Sequence, residues 1–125
     1  MHAPGRPTVL VVDDEQIIAD TLAKILDMNG YDASAAYSGL DAVESARRLR
    51  PDLVISDVIM DDMDGIQAAI RIREFLPSCK VLLFSGQPAV AEMIETAARN
   101  GHRFAILAKP MHPAAILKEL EQLTH

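Results

Sequence analysis

Asp13 and Asp14 follow the apolar run TVLVV, Asp57 follows DLVIS, and Lys109 follows FAILA. A further run, KVLLF, ends in Ser85 and Gly86. These short aliphatic runs read as strands of a buried parallel sheet. In an open parallel sheet the carboxyl ends of the strands share one edge, and ligands bind in the crevice outside it. Residues distant in sequence would then meet in a site with three carboxylates, one ammonium and one hydroxyl. That inventory suits a divalent cation and a phosphoryl group.

Two carboxylates about 4 Å apart repel by roughly 4 kcal/mol at an effective dielectric near 20. Three in one crevice raise one another's pKa or demand a cation. An oxygen-only donor set without clustered Cys or His favours Mg2+, which takes one or two carboxylates and keeps positions for water and phosphate oxygens. Phosphoryl transfer in such a site runs by positioning and charge neutralisation. Asp57 is the natural nucleophile, Asp14 the metal ligand and Lys109 the balancing cation, since carboxylates serve as nucleophiles in aspartyl-phosphate chemistry.

The elements that must position these groups alternate along the chain. Helical periodicity follows each strand-like run, with Ile18, Leu22, Ile25 and Leu26 on the first helix and Leu40, Val43 and Leu49 on the second. Ile66, Ile70 and Leu76 mark the third, Val90, Met93, Ile94 and Ala97 the fourth, and Ile116, Leu117, Leu120 and Leu123 the fifth. Asn29-Gly30 and Asn100-Gly101 supply left-handed C-caps, and Pro88 and Pro113 sit where helices begin. The weak strand Tyr31–Ala36 and the run Phe104–Leu107 complete five βα units, an α/β fold with a five-stranded parallel sheet covered on both faces. The whole is one domain of 125 residues.

Composition narrows the function classes. A net charge of −6 offers no basic stripe for nucleic acid. Arg47, Arg48 and Arg50 read as the solvated end of a helix. The one cysteine, Cys79, excludes an internal disulfide and fits a reducing compartment as a buried, unreactive thiol. No apolar run is long enough to span a membrane and no signal peptide opens the chain, so a cytoplasmic location is expected. The opening MHAPGRP, residues 1–7, reads as a disordered leader. The four histidines lie near termini or caps and none is placed for catalysis.

VVDDE, DLVISDVIMDDMDG, FSG and AKP, in this order and spacing, resemble the receiver domain of two-component response regulators. The resemblance covers residues 8–124 and implies a flavodoxin-like (βα)5 fold with strand order 2-1-3-4-5. It also implies Asp57 as phosphoacceptor, Asp14 as direct Mg2+ ligand (Mn2+ being an acceptable substitute) and Asp13 as a ligand through water. The backbone carbonyl of Ile59 would be a further ligand. Ser85 would bind the phosphoryl group, Lys109 would pair with it, and Lys109-Pro110 would be a cis peptide. Gly65 would make the tight turn after the acceptor loop. The partners implied are a histidine kinase or phosphotransfer protein and a downstream protein target, with neither nucleic acid nor membrane bound directly. Such a chain is a monomer or a weak phosphorylation-dependent dimer and acts as an enzyme only on its own phosphorylation and dephosphorylation.

Two positions depart from that pattern. Ile106 stands where a Tyr or Phe usually precedes the lysine by three residues, with Phe104 two residues earlier as a core side chain. Asp61 stands where proline commonly follows the methionine, and with Asp62 and Asp64 it makes an acidic loop, read as solvated carboxylates. Ile59 and Gln87 flank the site, Ile59 as a shield for an acyl phosphate and Gln87 as a group that orients or excludes water. Two other functions stay open beside the phosphorylation switch. One is a phosphorylation-independent interaction module of receiver shape. The other is a phosphatase or phosphotransferase, which wants a second acid two residues after the nucleophile, where Ile59 stands.

Overall fold

The computed structural model describes residues 5–86, 90–109 and 112–124. Strands and helices alternate as β1 (Thr8–Val12), α1 (Gln16–Asp27), β2 (Asp32–Ala36), α2 (Gly39–Leu49), β3 (Leu53–Asp57), α3 (Gly65–Phe75), β4 (Lys80–Ser85), α4 (Val90–Arg99), β5 (Ala105–Ala108) and α5 (Pro113–Thr124). All strand pairs are parallel and the order is β2-β1-β3-β4-β5. This is the doubly wound, flavodoxin-like arrangement expected from the sequence. The expectations for Gln87, for Pro88 as a helix start and for the Lys109-Pro110 peptide fall on residues outside those described. None of the described helices is long and apolar enough to cross a membrane.

The alternation of side chains along each strand divides the interior in two. Leu10, Val12, Val54, Val81 and Leu83 pack on one face with Val43 and Ala46 of α2 and Ile66 and Ile72 of α3. Val9, Val11, Leu53, Ile55, Leu82 and Phe84 pack on the other with Leu22 and Leu26 of α1 and Ile116 and Leu120 of α5. β1 and β3, central in the sheet, are buried throughout, which is why they read as unbroken apolar runs. At the chain's start, Arg6 donates to the carbonyls of Asp27 and Tyr31, and Asp32 N donates to the Pro7 carbonyl, so residues 6 and 7 are held against β2.

Three local expectations need correction. On α1 the buried residues are Ala19, Leu22, Ala23 and Leu26, while Ile18 is exposed. Two alanines a turn apart give that helix a narrow inward face, so the larger Ile18 turns outward. On α2, Leu40 is exposed for a similar reason, with Ala42, Val43 and Ala46 inward. β5 begins at Ala105 instead of Phe104. Phe104 stands just before it, under the guanidinium of Arg73 at 4.6 Å, and the same arginine donates to the Arg103 carbonyl at 2.7 Å. The glycines of both Asn-Gly pairs do take left-handed backbone, with φ of 96° at Gly30 and 91° at Gly101.

The loop after β3 is built by its acids. Asp62 accepts from the amides of Gly39 and Leu40 at 3.0 and 2.9 Å, capping α2 from another part of the chain. Asp64 accepts from the Gln67 amide at 2.8 Å and caps α3. The two carboxylates are therefore helix caps and not merely solvated. They satisfy amide donors that a helix start leaves unpaired and place negative charge at the positive end of its dipole. Gly65 then approaches so closely that a Cβ there would overlap the Asp57 carbonyl and meet Ser56 Oγ at 2.9 Å.

The amides of Leu40 and Gly39 hold the Asp62 carboxyl below the usual carboxylate range. A lowered folded pKa contributes stability above the unfolded value, which is lost as pH falls through the folded one. Asp62→Ala should cost about 0.5–1 kcal/mol at neutral pH, the lower part of the cap range because the side chain is exposed. Urea denaturation should show that gap closing as pH falls below the usual carboxylate range. A gap constant with pH would mean that the charge does not cap α2.

Candidate functional site

Strand register assembles the site at the carboxyl edge. Val12 pairs with Ser56, which brings Asp13 level with Asp57 across the β1/β3 boundary. Asp57 pairs with Phe84, and Ser85 pairs with Ala108, so Ser85 and Lys109 complete the row. The order reverses at β1, which is followed by β2 on one side and β3 on the other. The acids thus flank the switch point, where open α/β sheets bind ligands.

Carboxylate oxygens of Asp13, Asp14 and Asp57 all lie within 4.8 Å of one another. Asp13 and Asp57 are buried, and Asp14 is exposed at the mouth. Asp13 Oδ1 accepts from the Glu15 amide at 2.9 Å, whereas its buried Oδ2 has no hydrogen-bond partner among the described residues. Burial pushes the Asp13 carboxyl above its usual range, and the charge of Asp57 adds to this, while the Glu15 amide opposes it. An orphaned buried carboxylate oxygen beside two more carboxylates fits a hard divalent cation.

Lys109 crosses to this cluster from the end of β5. Its Nζ donates to Asp57 Oδ2 at 2.9 Å, with side chains 35% and 12% exposed respectively. The Lys109 amide donates to the Ser85 carbonyl at 3.0 Å, fixing the backbone from which the side chain departs. Ser85 is buried at the end of β4, and Ile59 stands half open at the rim. Asp13, Asp14, Asp57, Ser85 and Lys109, singled out from the sequence, therefore come to this edge.

Sequence reasoning missed three contributors. Phe84 lies beneath Lys109, its ring centroid 5.1 Å from Nζ. Asp62 holds the loop between β3 and α3 to α2, a capping across chain segments that has no local sequence signature. Asp64 did have one, since Asp64-x-x-Gln67 before an apolar stretch is close to a capping-box pattern. Cys79 is buried, and burial pushes its thiol up to about 11, so it is not a nucleophile.

An open parallel α/β sheet with a carboxylate pocket and a bridging lysine at its switch point is the class this architecture defines. The profile of the response regulator receiver domain matches residues 9–121. The chain belongs to that family. It is 32% identical over 117 residues to the chemotaxis protein CheY of Thermotoga maritima, covering 93% of this chain and 96% of that one. It is 34% identical over 123 residues to the "Probable transcriptional regulatory protein TcrX" of Mycobacterium tuberculosis, covering 98% of this chain but only 52% of that protein's length. The chemotaxis protein CheY4 of Vibrio cholerae superposes with a TM-score of 0.84 at 26% identity, covering 94% of this chain and 98% of that one.

A carboxylate with a raised folded pKa lowers stability at neutral pH, and that cost disappears as pH falls through the folded value. Asp13→Asn keeps an acceptor for the Glu15 amide and removes the charge. It should stabilise the cation-free chain at neutral pH, and by less on acidification. Added Mg2+ should raise the melting temperature of the native chain and raise that of the variant much less. Equal Mg2+ stabilisation of both would remove Asp13 from cation binding.

Proposed function

We propose that this receiver domain is a phosphorylation switch whose acceptor is Asp57 and whose donor is a histidine kinase or phosphotransfer protein. The observation that carries the reading is the 2.9 Å pair of Lys109 Nζ and Asp57 Oδ2 beside the orphaned oxygen of Asp13. A carboxylate oxygen of Asp57 attacks phosphorus, a P–O bond forms, and the P–N bond to the donor imidazole breaks, the leaving nitrogen taking up a proton. Asp13, Asp14, Asp57 and the Ile59 carbonyl would hold Mg2+, which when bound neutralises charge developing on the phosphoryl oxygens.

The chain's own residues do the rest. Lys109 moves its hydrogen bond from Asp57 to the incoming phosphoryl oxygens, and the Ser85 hydroxyl donates a second. The product carries about two negative charges, which these contacts convert into an altered surface. Ile59, 41% exposed at the rim, covers the acyl phosphate from one side and slows its hydrolysis. Apart from making and losing its own phosphoryl group the domain is not an enzyme, and its output is binding to a downstream protein in the cytoplasm. The surface of α4, β5 and α5 is the place for that partner or for a weak phosphorylation-dependent dimer.

Ile106 is 44% exposed on β5 and Phe104 is held under Arg73, so neither supplies an inward-turning ring. That favours, as a second reading, a receiver-shaped interaction module that works without phosphorylation. Intact mass after incubation with Mg2+ and acetyl phosphate separates the two. The switch predicts a gain of one phosphoryl group that needs Mg2+ and is absent in Asp57→Asn. No gain from either acetyl phosphate or a phosphohistidine donor, with Mg2+ bound, favours the module. Followed over time, the same adduct should decay faster in Ile59→Asn, and an unchanged decay would end the shielding role.

A further inference from the structure

We infer that Phe84 is a positioning residue for Lys109, holding the ammonium in line with Asp57 through the face of its ring. The inference rests on the switch reading above and extends it to a residue outside the acceptor pocket. Asp57, Phe84 and Leu107 are paired in consecutive strands, so the three side chains leave the same face of the sheet. Ile55, Phe84 and Leu107 all pack into the core beneath α1 and α5, which confirms that shared face. Lys109 starts two residues beyond Leu107 and must reach the carboxylate on β3. The straight route passes over β4, and there it meets the Phe84 ring.

The distances fit that path. Nζ lies 5.1 Å from the ring centroid and 2.9 Å from Asp57 Oδ2, so one ammonium touches both groups. A cation within about 6 Å of an aromatic face is attracted by the ring's quadrupole. Phe84 is almost completely buried, locked by packing, and cannot follow a moving lysine. Lys109 by contrast has a long, flexible side chain that is one-third exposed and is tied to Asp57 at its tip. A fixed aromatic floor restricts its sampling to positions above β4, next to the acceptor. An aliphatic residue at 84 would fill the core equally well but leave the ammonium without an electrostatic floor.

Para-fluorophenylalanine at position 84 separates ring charge from ring shape, because fluorine weakens the negative face and scarcely alters the volume. Phe84→Leu removes the ring. The chain has four lysines, Lys24, Lys80, Lys109 and Lys118, so carbon-13 lysine labelling with a Lys109→Arg control assigns the Lys109 ε-methylene signal. In the cation-free protein that signal should be shifted upfield by the ring current, be shifted less in the fluorinated protein as the ammonium leaves the ring more often, and lose the shift in Phe84→Leu. Phosphorylation by acetyl phosphate should slow about three- to tenfold in Phe84→Leu, with an intermediate loss in the fluorinated protein.

An unshifted Lys109 signal in the native protein overturns the inference, and so does a fluorinated protein as fast as the native one. If Phe84→Leu fails to fold, the fluorinated protein still decides. If the native chain takes up no phosphoryl group, the switch reading falls, and the lysine signal alone then judges the contact between ring and ammonium.

Discussion

Three carboxylates within 4.8 Å at the edge of a buried sheet are electrostatically unfavourable, and the architecture around them is the means of holding them there. At an effective dielectric near 20, each pair repels by roughly 3–4 kcal/mol. Side chains on flexible loops would move apart. These do not, because β1 and β3 are adjacent, parallel and wholly buried, and their register sets Asp13 against Asp57. The core on both faces of the sheet supplies the stability that lets the edge remain strained. Lys109 offsets one of the charges from within the chain, and the orphaned oxygen of Asp13 leaves room for a cation to offset the others.

The loop between β3 and α3 is held as firmly as the strands. Asp62 and Asp64 tie it to the amino ends of α2 and α3, and Gly65 allows its backbone to close on Asp57. The acids at this edge of the sheet thus divide by role. Those of the pocket face one another, whereas Asp62 and Asp64 face amide donors that compensate them. Asp61, where proline would stiffen the loop, has no such tie among the described hydrogen bonds, and the two caps supply the stiffening instead.

Much of this was legible in the sequence, and the reasons differ by element. β1, β3 and β4 are short aliphatic runs ended by polar residues, so both their existence and their functional ends could be read directly. Once those ends share an edge, Asp13, Asp14, Asp57, Ser85 and Lys109 must converge. The order of the strands came only through family resemblance, because periodicity carries no information on which strands are neighbours. Ile18 and Leu40 were misplaced because hydrophobicity alone does not distinguish a large residue at the rim from a small one, such as Ala19 or Ala42, that lets a helix approach the sheet. The Asp62 cap and the Phe84 floor are contacts between segments far apart in sequence, and only the assembled sheet brings them together. Phe104 left its expected strand because Arg73, on α3, holds its ring and the preceding carbonyl outside β5.

On the proposed function, one cation and one phosphoryl group would resolve the charge imbalance at Asp57. A crystal structure with Mg2+ and beryllium trifluoride, a stable mimic of the phosphoryl group, tests it most directly. The expected adduct sits on a carboxylate oxygen of Asp57, with Mg2+ among Asp13, Asp14, Asp57 and the Ile59 carbonyl. Lys109 Nζ and the Ser85 hydroxyl should donate to the adduct's fluorines. An adduct on another carboxylate, a cation held by the Asp61–Asp64 loop, or Lys109 turned away into solvent would contradict it.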